Sequence, residues 1–140
     1  MVKVTIIGRA IDGMPLAQGP RSRLVVHEEN VTTYKQQAEF ILKEISLRAL
    51  PSSSNMTILV NDHHCFNYMV ENGICYLTLC ESSYPRKLAF DYLQELQQEF
   101  ERLDRSLVDR ITKPYTFIKL DNIIGNRFRY RKRRRTYISP

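Results

Sequence analysis

The side chains able to do chemistry in this sequence are few, and their spacing does not suit them to it. Asp62-His63-His64-Cys65 sets four residues of metal-ligand type in a row. Adjacent residues on one turn rarely point at a common centre, and no second pair lies at zinc spacing. The run is read as a polar hairpin turn. Cys75 and Cys80 sit five positions apart on one apolar stretch, hence on opposite faces of a strand, and cannot pair with each other. Apolar neighbours deny either thiol the electropositive, partly exposed setting of a nucleophile. Asp62, Asp91 and Asp104 form no evident carboxylate pair, and the five glycines are scattered singly rather than gathered into a phosphate loop. The set an active site requires is missing, so no catalytic residue, metal or cofactor is assigned.

The elements that position these residues are far better marked. Ile74 to Cys80 is apolar except for Thr78, and alternation sends Ile74, Tyr76 and Cys80 one way and Cys75, Leu77 and Leu79 the other. A strand oily on both sides is covered on both. Ser82, Ser83 and Pro85 then mark a helix start. Ala89, Leu93, Leu96, Phe100 and Leu103 recur at steps of three and four, one stripe of a helix.

Around that nucleus the remaining elements fall in order. Val2 to Ile11 reads as a strand, Asp12-Gly13 as a turn and Met14 to Ala17 as a short return strand with an edge-type Pro15. Gln18 to Asn30 reads as a polar loop in which Leu24-Val25-Val26 extends the strand or covers the sheet edge. Thr32 or Thr33 caps a helix to about Ala49, with Tyr34, Ala38, Ile41, Leu42, Ile45 and Ala49 in its stripe and Phe40 exposed at the border. Met56–Val60 and Cys65–Val70 are strands, and Glu71-Asn72-Gly73 is a tight hairpin turn. A short helical turn over Arg105–Ile111 precedes a last helix that starts at Pro114 and stops at Gly125. The order β-β-α-β-β-β-α-α predicts an α+β domain: a five-stranded antiparallel sheet with one helix on one face and two on the other.

Of 21 basic residues in the 140, seven lie after Asn126, where no acidic residue falls. Residues 1–126 carry 14 basic against 15 acidic residues, so the body is near neutral and the net charge of +6 belongs to a tail. Arg131, Lys132, Arg133, Arg134 and Arg135 are its densest run. A solvated end, an anionic membrane surface and a nucleic acid are the three readings, and the last is the weakest because the body has no basic face. The chain divides into a body, 1–124, and this tail, 125–140. No window of about 18 apolar residues exists to span a bilayer, and the N-terminus lacks a signal-peptide pattern.

The third strand is expected at a sheet edge, beside the first helix. That leaves a groove lined by Phe40, Ile41, Ile58 and Val60, suited to strand addition by an extended peptide.

Several blocks resemble a known family. They are Asp12-Gly13-Met14-Pro15-Leu16, Tyr34-Lys35-Gln36-Gln37, Cys75-Tyr76-Leu77-Thr78-Leu79-Cys80, Ser83-Tyr84-Pro85-Arg86-Lys87-Leu88-Ala89-Phe90, Glu99-Phe100-Glu101-Arg102 and Pro114-Tyr115-Thr116-Phe117-Ile118-Lys119. Over residues 2–124 they are similar, in the same order, to the N-terminal longin domain of the ER–Golgi R-SNARE vesicle-trafficking family, Sec twenty-two. The resemblance implies a profilin-like longin fold without catalysis. It implies work on the cytosolic face of ER and Golgi membranes, with SNARE proteins and COPII inner coat subunits as partners. It places docking between the first helix and third strand, here on Tyr34, Ile41, Ile45 and Met56–Val60. No heptads follow Ile124, so this stretch is expected to supply no SNARE coiled-coil strand and no membrane anchor. A groove lacking its usual partner is expected to take the chain's own tail or a second copy, through Phe128, Tyr130 or Ile138. The alternative is a nucleic-acid-binding protein that uses the basic tail.

Overall fold

The computed structural model describes residues 2–19, 28–53 and 55–127. The elements are β1 (Val2–Arg9), β2 (Met14–Gly19), α1 (Glu28–Ser46), β3 (Met56–Leu59), β4 (His64–Glu71), β5 (Ile74–Glu81), α2 (Arg86–Glu101) and α3 (Ser106–Asp109). A further helix, α4, covers 118–127. One antiparallel sheet runs in the order β2-β1-β5-β4-β3, so β5 is central and β3 is an edge.

The parity of β5 is the one its residues predict. Ile74, Tyr76 and Cys80 join α2 and α4 in one apolar cluster, while Cys75, Leu77 and Leu79 join Ala38, Ile41, Leu42 and Ile45 of α1 in the other. β1 keeps the same alternation from Val4 to Ile7. A register shift between Val2 and Val4 turns Val2 to the α2 side, opposite Cys80. The β4–β5 turn has Asn72 at φ 52° and Gly73 at φ 78°, the two left-handed residues of a type I′ hairpin.

Three expectations need correction. The first helix begins at Glu28, a turn before Thr32. The last helix does not start at Pro114: residues 113–115 form a bend and a turn, 116–117 an irregular link, and helix begins at 118. Nor does that helix stop at Gly125, for it continues to 127 at least among the described residues. A mid-helix glycine costs only about 1 kcal/mol. Fully buried Leu120 and Ile124 hold the helix to the core, and Arg127 reaches Glu99 of α2 at 2.6 Å. The boundary drawn at 124 therefore falls inside α4. Leu24-Val25-Val26, Phe128, Tyr130, Ile138 and the basic run Arg131–Arg135 lie outside the described residues.

The two edges of the sheet end differently. Along β2, the Tyr115 amide donates to the Pro15 carbonyl at 3.0 Å and the Phe117 amide to the Leu16 carbonyl at 3.1 Å. The Gln18 amide donates to the Asp121 carboxylate at 2.9 Å. Residues 115–121 thus close that edge. Among the described residues β3 pairs with β4 on its inner side only.

Candidate interaction groove

α1 lies over the sheet with its buried stripe down, and on the β3 side its flank stands clear of the strand. Between them is an apolar groove of about 590 Å³, walled by Thr33, Gln36, Gln37, Phe40, Ile41 and Glu44 from α1 and by Ile58, Leu59 and Val60 from the edge. Leu50 and Phe66 also line it. Phe40 is 65% exposed and Leu59 is 76% exposed, although both are large and apolar. Met56–Val60 contains no charged residue and no proline, the features by which edge strands usually discourage pairing.

Four of the six residues picked from sequence meet here: Phe40, Ile41, Ile58 and Val60. Ile45 does not, being fully buried between α1 and the sheet. Tyr34 also lies off the lining; its hydroxyl is 3.3 Å from His64 Nδ1, and the two rings are 5.3 Å apart at the start of β4. Leu59 was expected only as part of the Met56–Val60 strand, and Thr33, Gln36, Gln37, Glu44, Leu50 and Phe66 were not expected. Leu59 was legible as the next residue of an uncharged edge strand, and Gln36 and Gln37 as the positions three and four before Phe40. Leu50 comes from the turn after α1 and carries no periodic signal.

β3 is held from the other face. The Arg86 guanidinium donates from Nε to Thr57 Oγ1 at 3.0 Å, donates to the Asn55 carbonyl, and stacks 4.8 Å from the Phe90 ring centre. The Asn67 amide oxygen accepts from Thr57 at 2.7 Å. The strand's inner edge and one face are fixed, and among the described residues no strand pairs with its outer edge.

The sites considered for chemistry are structural. Asn61 Oδ1 accepts from the amides of His63 and His64 at 2.8 and 2.9 Å, which makes the His-His run a turn. Among the described residues no group of three His, Cys, Asp or Glu side chains is placed to hold a metal ion. Cys65, Cys75 and Cys80 are buried free thiols. Burial pushes all three upward, Cys80 to about 11. None of the described helices is long and apolar enough to cross a membrane.

Comparison with known proteins decides what kind of domain this is. The model of the longin family, the regulated-SNARE-like domain, matches residues 23–124. The chain belongs to the longin family. It is 40% identical over 124 residues to the 25.3 kDa vesicle transport protein SEC22-1 of Arabidopsis thaliana, covering 89% of this chain and 55% of that protein. It is 38% identical over 141 residues to protein transport protein sec22 of Schizosaccharomyces pombe, covering 100% and 60%. With vesicle-trafficking protein SEC22b-B of Danio rerio it shares 36% over 124 residues, covering 89% and 55%. This longin domain is of the Sec22 kind, and the chain spans little more than half the length of those curated relatives. The family is one of trafficking proteins, not enzymes.

Proposed function

We propose that this longin domain is the regulatory and sorting module of an R-SNARE-like protein in ER–Golgi vesicle transport, acting on the cytosolic face of those membranes. Its mechanism is docking. An extended segment of a SNARE or of a COPII inner coat subunit adds to the outer edge of β3 and sets alternate side chains into the groove beneath α1. One observation carries this reading: among the described residues, β2 is closed by the chain itself, and β3 is left uncharged beside an apolar groove. In the same reading residues 1–124 are the docking unit. The basic run Arg131–Arg135 in segment 125–140 meets an anionic membrane face, at about 1 kcal/mol per residue near the surface.

The test is titration of isotope-labelled protein with synthetic SNARE-motif peptides, and separately with purified COPII inner coat subunits. Amide shifts should concentrate on Met56–Val60 and Thr33–Glu44. Leu59→Lys should weaken binding at least tenfold and move stability by no more than about 0.5 kcal/mol, as exposed substitutions do. Shifts confined to the tail, with steeply salt-dependent binding to random oligonucleotides and none to the peptides, would favour nucleic acid instead.

A further inference from the structure

The link between α3 and α4 wraps the closed edge of the sheet and touches both faces. Tyr115 packs in the α1-side cluster, and Phe117, two residues on, is buried in the α2-side cluster. Tyr115 holds a left-handed backbone, φ 61°, which a bulky residue rarely adopts unless its surroundings impose it. What it gains is contact with α1. Lys35 Nζ stands 4.2 Å from the centre of the Tyr115 ring. Burial and the neighbouring Glu39 carboxylate both keep the phenol protonated.

Lys35 and Glu39 are one turn apart on α1. At 100° per residue they lie across the buried stripe from Thr33, Gln37, Phe40 and Glu44, which wall the groove. Among the described residues α1 is therefore braced on its β2 side and open on its β3 side. Below it, Gly8 gives Leu42 room to sit on β1. We infer that Tyr115 is a positioning residue for the groove: wedged against the far flank of α1 by the 114–117 strap, it sets how far that helix stands from β3, and so the groove's width. The consequence for docking rests on the function proposed above; the width itself is a property of the chain alone.

The experiment measures that width directly. Nitroxide labels on Gln37→Cys and Leu59→Cys report the distance between the two walls of the full chain by electron paramagnetic resonance, since the native thiols are buried. Tyr115→Phe keeps the ring and should leave the distance unchanged. Tyr115→Ala should shift and broaden it, and in unlabelled protein should change SNARE-peptide affinity roughly 2- to 30-fold, the range for residues that act without touching a ligand. Should Tyr115→Ala fail to fold, the pair Lys35→Ala and Glu39→Ala removes the same contact from the α1 side and should shift the distance likewise. An unchanged distance in a folded Tyr115→Ala chain, or in the Lys35/Glu39 pair when Tyr115→Ala does not fold, would overturn the inference. A shifted distance in a chain that binds no peptide would uphold it and remove the docking function.

Discussion

The phenolic oxygen of Tyr92 lies 2.7 Å from the hydroxyl of Thr5, which joins α2 to β1 inside the core. Thr78 Oγ1 continues the chain, 3.3 Å from Thr5 Oγ1, and donates to the Val4 carbonyl at 3.0 Å. Hydroxyls buried this deeply are tolerable because they bond to one another. Tyr92→Phe should cost about 0.5–1.5 kcal/mol by urea unfolding, the net worth of one such bond. A loss above 3 kcal/mol would mean the core repacks, and no loss would mean the bond does not hold α2.

Gly8 is where α1 meets the sheet. A Cβ there would fall 2.7 Å from Leu42 Cδ2, and Leu42 is fully buried. Gly8→Ala should therefore destabilise by about 1–3 kcal/mol through overpacking. Adding Leu42→Ala should cost less in the Gly8→Ala background than in the native chain, because the cavity left behind accepts the new methyl. Strict additivity of the two changes in denaturation midpoints would refute that contact.

His64 makes stability depend on pH. Burial, with Lys3 and His63 adding in the same direction and Glu81 opposing, lowers its pKa from the ordinary 6.5. The unfolded chain takes up the proton first, so stability is intact above about pH 6.5 and declines as pH falls below it. Asp12, held down first by its bond to Arg9, and Glu99, held down first by Arg127, lose their share only in the acid range below about pH 4.5. His64→Gln should remove the upper part of the decline, so the gap between the two stability curves should be constant above pH 7, where it reports the lost Tyr34 contact, and change between 6.5 and 5. A gap that still changes above pH 7 would show that another group titrates.

The thiols should be silent. With all three cysteines buried and Cys80 raised to about 11, a disulfide reagent at pH 7.5 should label the native protein only as fast as it opens, and all three sites at once in denaturant. Rapid labelling of Cys75 in the native state would contradict the two-sided cover of β5.

Much of this molecule is written in short-range patterns. The parity of Ile74–Cys80, the α2 stripe and the Asn72-Gly73 turn depend on residues one to four apart, where backbone geometry alone decides which way a side chain points. Phe40 at the border of its stripe was legible for the same reason.

Tertiary structure decided the rest, because contacts across about a hundred residues leave no period in the sequence. Nothing near Pro15 says that Tyr115 and Phe117 will bond to β2, close that edge and leave β3, among the described residues, as the open one. Gly125 looks like a helix stop until Ile124, the methyl-group neighbour of Gly19, and Arg127, the partner of Glu99, hold the helix through it. Local residue types determined the elements and their faces. The choice of which edge stayed free came from burial and hydrogen bonding that exist only once the sheet is assembled.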